Sequence, residues 1–400
     1  MHYDVIILGG GPSGLFCASN IKNKKVLLLE KNEKFGKKLL VSGGGKCNFT
    51  NNDNLKDLIT HYGNKKNFVK KALYNYSNID LLKDIDFEYT ITEEGKIFPK
   101  SMKSFTVLNW LLKNIEKKKN IIIKTGINIL DIKKDNNKEP FIIKTQNAII
   151  KTKILILATG GKSFPALGTK GDGYNFAKKF GHNIIHPKPA LTPLIIKDFN
   201  LIDLAGTSMI VTLKTNNNMK FEGNLLFTHK GFSGPVVLNA SRYLNNGDII
   251  KLSFVPFRDE EEFRNDFFNV LNKNKNELLY ETLRKRYKLT KRFISIMFHN
   301  LEINNKLKCN ALPKKVRNKI INYLYNHTYV IEKLGDFNVA MVTKGGIDTK
   351  EINSKTMESK LVKNLYFIGE IIDVDGDTGG YNIQWAFSSA KAAADDISKK

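Results

Sequence analysis

Three cysteines are all that the 400 residues hold, and Cys17, Cys47 and Cys309 lie far apart, with neither a C-x-x-C pair nor a ligand cluster. That spacing excludes a dithiol active site and a structural zinc, and it argues for a reducing compartment. Long apolar runs are missing too. None approaches the roughly 18 residues of a spanning helix, and the N-terminal run is strand-length with no basic segment before it. The chain therefore reads as soluble and cytoplasmic, without a membrane partner. Arginine is scarce, so lysine supplies most of the formal net charge of +25. Runs such as "NIEKKKNIIIK" interleave that charge with helix and strand formers instead of gathering it into a basic aromatic groove, as expected for solvated faces. An anionic partner such as nucleic acid stays the alternative. Internal repeats are absent.

What is present is an ordinary globular composition, 42% hydrophobic, in a chain longer than one core usually organises. "YDVIILGGGPSGLFCASNI" predicts a buried strand over 4–8, a tight turn, and a helix from about Pro12, where a proline's missing N–H costs nothing. "KVLLLEK" is a second apolar strand, which completes a βαβ unit, and "KILILATGG" is another that ends in a glycine turn. Near residue 190 the texture changes to short strands broken by glycine and asparagine, and from Asp259 to about Leu334 it becomes helical and highly charged. The predicted class is α/β. Residues 1–188 and 335–400 make a discontinuous, Rossmann-like doubly wound domain, 189–257 an inserted β-barrel-like domain, and 258–334 a small inserted helical domain.

Gly9, Gly11 and Gly14 fit G-x-G-x-x-G between a strand and a helix, and Glu30 ends the next strand at the expected distance. Gly9 permits the turn, Gly11 lets backbone approach a pyrophosphate, and Gly14 lets helix pack on strand. Helix-start amides then satisfy phosphate oxygens, while Glu30 accepts from an adenosine ribose and disfavours a 2′-phosphate. FAD and NAD both suit this unit. "GKKLLVSGGGKCNFTN" follows directly, where three consecutive glycines (43–45) let backbone lie flat against something planar or anionic, with Lys37, Lys38 and Lys46 nearby.

With "ILATGGKSFPALGTKGDGYNFAKKFGH", "PALTPL", "FTHKGFSGP", "TKGGI", "TMESKL" and "LYFIGEIIDVDGDTGGYNIQWAFSSA", these segments resemble the HI0933-like flavoproteins, also described as BaiN-like or aminoacetone-oxidase-like, in the family's order from residue 9 to residue 390. Lys46 stands where the family usually has arginine. The resemblance implies an FAD domain assembled from both chain ends and carrying inserted β and helical parts. It places Gly9, Gly11, Pro12, Ser13 and Gly14 at the pyrophosphate and Glu30 at the ribose. Lys31, Lys38, Ser42, Gly43, Gly44, Cys47 and Asn48 follow the cofactor toward the flavin, with Ile129 at the adenine and Ala158, Thr159 and Gly160 beside the nucleotide. Gly369, Glu370 and Asp373 meet the ribityl and phosphate portion. Amides of Gly380, Tyr381 and Asn382 face the N1 and C2 carbonyl edge of the flavin, where negative charge develops on reduction. The small residues after them suit a helix packed close against the sheet.

The expected activity is that of an FAD-dependent oxidoreductase moving a hydride or electrons between a small-molecule substrate and flavin. A flavoprotein acting on RNA, similar in outline to tRNA-modifying enzymes, is the alternative. His229, in the glycine-bounded "FTHKGFSGP", is the candidate acid or base, and Cys47 is read as a packed flavin contact that becomes reactive only if helix amides depress its pKa. "GTKGDGYNFAKKFG" lacks the final glycine of a second dinucleotide fingerprint, so NAD(P)H is expected only as a transient electron donor, with oxygen another acceptor. No metal is expected.

Overall fold

Val5, Ile6, Ile7 and Leu8 are consecutive and all buried, the signature of a strand covered on both faces in a parallel sheet. The computed structural model describes residues 2–134 and 140–400 and divides into two units, one running to Ala190 and resuming at Asp336–Lys400, the other Leu191–Gly335.

In the first unit the chain runs β1 (His2–Leu8), α1 (Pro12–Asn20), β2 (Val26–Leu29), α2 (Lys37–Val41), β3 (Thr50–Asn51), α3 (Leu55–Thr60), α4 (Lys66–Asn75), α5 (Asn78–Asp84), β4 (Tyr89–Ile91), β5 (Lys96–Pro99), α6 (Ser104–Glu116), β6 (Ile121–Lys124), β7 (Ile129–Lys133), β8 (Phe141–Thr145), β9 (Ile149–Leu157), α7 (Asp172–Lys179) and β10 (Ile184–Ala190). The second unit holds β11 (Leu194–Ile196), β12 (Ser208–Thr215), β13 (Lys220–Thr228), β14 (Gly231–Ser233), α8 (Pro235–Ser241), β15 (Ile249–Ser253), α9 (Glu260–Lys273), α10 (Leu279–Tyr287), α11 (Lys291–Asn300), α12 (Lys314–Tyr325) and β16 (His327–Leu334). The first unit then resumes with β17 (Val342–Ile347), β18 (Leu365–Phe367) and α13 (Tyr381–Ile397).

The main sheet has the order β6-β2-β1-β9-β8-β7, with β18 also on β9. Pairing is parallel among β6, β2, β1, β9 and β18 and antiparallel at β7 and β8. The order places the ends of β1, β2, β9 and β18 side by side, which is where an open α/β sheet binds its ligand. Phe16 of α1 locks the helical layer: its ring lies 5.1 Å from Phe387, 5.2 Å from Tyr76 and 5.8 Å from Trp110. Each such buried aromatic contributes about 1.5–3 kcal/mol. The small residues of α13 are buried as expected; the helix packs against α1 and α4, and Ser389 Oγ accepts from Gly369 N at 3.0 Å just past β18. Ser388 Oγ donates to Tyr76 O at 2.7 Å, so the close approach there is helix on helix.

In the second unit six antiparallel strands close a barrel in the order β11-β14-β13-β12-β15-β16. The stretch 258–334, expected to be helical throughout, ends in the barrel strand β16. Its alternation, with Tyr329 and Ile331 buried between exposed neighbours, is period two and closes the barrel onto β11. Barrel and helices share one core, in which Phe254 of the strand side lies 4.8 Å from Phe293 of α11, so they form one unit rather than two.

Candidate functional site

The first turn is shaped by contact with backbone. Gly9 has φ +113, and a Cβ there would sit 2.3 Å from Ala158 O, so only glycine fits. A Cβ at Gly14 would meet Gly9 O at 2.0 Å, which is why α1 can start so close to β1. At Gly11 a Cβ would have nothing within 4 Å. Gly11 is the N-cap of α1, Pro12 follows it, and neither a capping side chain nor an acidic first-turn residue satisfies the helix-start amides. Glu30 is buried and already engaged: Oε2 accepts from Gly10 N at 2.7 Å, and Oε1 from Asn32 N and Nδ2 at 2.8 Å each. It holds the turn itself, and its remaining lone pairs are what a ribose hydroxyl would use.

Around this turn the fold gathers distant residues. Ala158 N donates to Leu8 O at 2.8 Å, and Thr159 Oγ1 beside it is buried without a hydrogen-bond partner among the described residues. Gly160 follows in a left-handed turn. Lys31 pairs with Asp172 at the start of α7. Ile129 opens β7, two residues after Ile127, whose N–H donates to Glu30 O at 2.9 Å. A Cβ at Gly369 would lie 2.7 Å from Ser13 Oγ, and Gly369 O accepts from Trp385 Nε1 at 3.2 Å. Gly369 thus touches the beginnings of both α1 and α13.

The middle turn is joined to the C-terminal one. Lys38 Nζ lies 2.7 and 2.6 Å from the two oxygens of Glu370, and Glu370 Oε1 also accepts from Thr343 N at 2.9 Å. Ser42 Oγ donates to Leu39 O at 2.6 Å, ahead of Gly43 and Gly44 in left-handed conformation, and a Cβ at Gly44 would have nothing within 4 Å. Asn48 Nδ2 donates to Thr50 O and Ile97 O at 2.8 and 2.9 Å. Gly380, φ +97, lies so close to Thr50 that a Cβ would meet its carbonyl oxygen at 2.4 Å. Asn51 Nδ2 donates to Gly379 O at 3.1 Å, and Asn382 closes the turn with bonds to Gly376 N and O at 2.8 and 2.9 Å. Helix α13 begins on Gly380, again without a capping side chain or an acidic first-turn residue.

Cys47 is buried, and burial pushes its thiol up to about 12 against a smaller opposing hydrogen bond with Ser42. It is therefore an uncharged packing group, and the condition for a reactive thiolate is not met. His229 lies in the other unit, exposed in the turn between β13 and β14.

Several neighbours escaped the sequence reading. Lys65, indistinguishable in sequence from the lysines around it, ion-pairs with the expected site residue Asp373, which is buried. Tyr174 carries a buried hydroxyl with no hydrogen-bond partner among the described residues, and burial, together with the charges of Glu370 and Asp373, holds its pKa well above the usual range. His61 stacks on Tyr381 at 4.0 Å and 16°, with Nδ1 2.9 Å from Asp377 Oδ2 and Nε2 3.4 Å from Asp53 Oδ2. Tyr381 OH donates to the same Asp53 oxygen at 2.6 Å, and Tyr62 OH donates to Tyr381 O at 2.7 Å. A shallow surface cavity of about 480 Å³, lined by residues 85–90 and Lys100, belongs to none of this.

Two helix starts without caps, open space beside Gly11 and Gly44, and unpartnered hydroxyls on Thr159 and Tyr174 fit a long ligand carrying phosphates at one end and a planar acceptor at the other, as FAD does.

The HI0933-like protein Rossmann domain matches residues 3–396. The chain is 33% identical to the ribosomal RNA dihydrouridine synthase of Haemophilus influenzae, over 99% of this chain and 98% of that one. It is 32% identical to the Escherichia coli protein of the same name, at the same coverage. A 3-dehydro-bile acid delta(4,6)-reductase of Clostridium scindens is 28% identical, over 97% of each. Among solved structures, the 3-ketosteroid-delta4-(5alpha)-dehydrogenase of Rhodococcus jostii superposes with TM-score 0.52 at 12% identity, over 98% of this chain and 97% of that one. A flavocytochrome c3 fumarate reductase gives 0.52 at 14%, over 100% and 78%; both likenesses concern the fold. The chain belongs to the HI0933-like family of FAD-dependent oxidoreductases.

Proposed function

We propose that this protein reduces the 5,6 double bond of uridine in ribosomal RNA to give dihydrouridine, with NAD(P)H visiting transiently as electron donor. The observation that carries the reading is the likeness, over nearly the full length of both partners, to two proteins named for that reaction. The net charge of +25 supports it, since a polyanionic substrate gives that excess a partner. The sequence alone put a small molecule first and RNA second; the names of these relatives support the second.

Saturating the double bond takes a hydride and a proton, and FAD, when bound and reduced, supplies the hydride. The chain's own part is to bind and orient. The start of α1 and Gly11 would take the pyrophosphate, Glu30 the ribose, and the amides opening α13 the carbonyl edge of the ring that gains negative charge. Cys47, uncharged and buried, serves as packing.

The test is to incubate purified holoprotein and NAD(P)H with unmodified ribosomal RNA transcripts and to quantify dihydrouridine by mass spectrometry of the digested nucleosides. Dihydrouridine formed together with donor consumption supports the proposal. The 28% identical bile acid reductase favours a second reading, a small molecule with a reducible carbon–carbon double bond. Turnover of such compounds with no dihydrouridine in RNA would establish that reading instead.

A further inference from the structure

All seven arginines of the chain lie between Arg242 and Arg317, in the second unit, while the first unit carries lysine alone. Six have a partner inside the fold. Arg258 meets Asp259, Arg264 meets Glu260, Arg284 meets Glu281 and Arg286 meets Asp266. Arg242 and Arg317 lie over the rings of Tyr243 and Phe268. Arg292 is the exception: among the described residues its side chain makes no hydrogen bond, ion pair or ring contact, and it is exposed.

Arg292 belongs to the densest basic stretch of the chain, "RKRYKLTKR" over 284–292, with six cations in nine residues and no acid. The stretch forms the α10–α11 hairpin. Leu283, Tyr287, Leu289 and Phe293 are buried in the core of this unit, so the residues between them are turned outward, and Lys285, Lys288, Lys291 and Arg292 are all exposed. The cations closing α10 have an internal explanation, because the negative end of a helix favours them and acids pair with Arg284 and Arg286. The other three do not. Lys288 has φ +53 at the C-cap of α10, a position where glycine is the usual residue. Lys291 and Arg292 occupy the first two positions of α11, the end at which the macrodipole opposes positive charge, with no acid in that first turn. None of the three has an acidic partner within 4.0 Å among the described residues. Three exposed cations close together in sequence, from which the fold gains nothing, complement a run of phosphates.

We infer that the α10–α11 hairpin, through Lys288, Lys291 and Arg292, docks the phosphodiester backbone of RNA. The planar guanidinium can grip a phosphate with two N–H donors, and the lysines act as point charges. The inference rests on the RNA reading above, and its test separates the two.

Holoprotein and a K288Q/K291Q/R292Q variant are titrated against ribosomal RNA transcripts at several salt concentrations, alongside a K314Q/K315Q/K319Q variant that loses the same charge from exposed positions on α12. Flavin absorbance per protein and melting temperature show that all three are folded. The wild type should bind with strong salt dependence. The hairpin variant should bind at least about tenfold more weakly, with a log-affinity against log-salt slope shallower by about 2–3, and the α12 variant should follow the wild type. Equal weakening in both variants would overturn the hairpin assignment and leave diffuse charge as the cause. A hairpin variant that binds like wild type yet still forms dihydrouridine would overturn it while sparing the RNA reading. Absence of any wild-type binding, with no dihydrouridine formed, would remove both.

Discussion

Lys38 and Glu370 are 332 residues apart in sequence, yet one ammonium meets both oxygens of one carboxylate. The pair ties α2 to the segment after β18, and each side chain is 23% exposed, so water screens it only in part. Glu370→Ala removes the partner of Lys38 and of the Thr343 N–H together. Leaving partly buried groups unpaired costs about 1–3 kcal/mol. Urea unfolding of the apoprotein should show that loss, and FAD retention should fall with it. Unchanged stability would mean that solvent replaces the carboxylate at no cost.

Gly9 and Gly11 are two residues apart and should answer to alanine in opposite ways. Gly9→Ala puts a methyl against the Ala158 carbonyl at positive φ, where the backbone conformation alone costs roughly 1–2 kcal/mol. The protein should lose at least about 2 kcal/mol or fail to accumulate. Gly11→Ala meets open space and should stay within about 0.5 kcal/mol of wild type while retaining much less flavin. Equal flavin content in Gly11→Ala and wild type would place the pyrophosphate elsewhere.

The turns and strands of the first unit were legible because their signals are local: four buried apolar residues for β1, glycines at fixed offsets, proline opening α1. What joins them was not. Lys38 to Glu370, Lys65 to Asp373 and Asn51 to Gly379 are contacts between segments whose spacing carries no information. β16 was missed because a charged helical stretch precedes it and its alternation is short. The partners of α13, Tyr76 for Ser388 and Phe16 for Phe387, are revealed by no periodicity within the helix.

His327 sets a pH limit on the second unit. Its ring stacks on Tyr329 at 4.5 Å with Tyr323 at its edge, 4.1 Å away, and Nδ1 is buried without a hydrogen-bond partner among the described residues. Burial lowers its pKa to about 4, against a smaller opposing bond at Tyr323. The unfolded chain, titrating near 6.5, binds more protons between these values. Stability is therefore full above about pH 6.5 and is lost as pH falls through 4, by on the order of 2–3 kcal/mol. His327→Phe should flatten that acid limb relative to wild type in urea titrations at pH 7 and 4.5. Parallel acid limbs would show that His327 does not titrate with unfolding.

The three thiols should be silent in the native protein. Burial raises Cys17, Cys47 and Cys309 alike, Cys47 to about 12. At pH 8 iodoacetamide should leave the folded protein unlabelled over a period that fully alkylates it in urea. Rapid native labelling of Cys47 would restore a reactive thiol beside the proposed flavin site.

Tyr381 is held at three points: its ring by His61, its hydroxyl by Asp53 and its carbonyl by Tyr62. Because it opens α13, these contacts fix the direction of the amides proposed to face the flavin. Tyr381→Phe deletes only the hydroxyl bond and should cost about 1 kcal/mol with flavin retained. His61→Ala deletes the stack and both carboxylate contacts beside the turn. It should weaken FAD retention by about tenfold, equivalent to 1.4 kcal/mol, and His61→Phe should recover part of it through the restored stack. Flavin affinity equal to wild type in His61→Ala would mean that the turn keeps its geometry from Gly380, Asn51 and Asn382 alone.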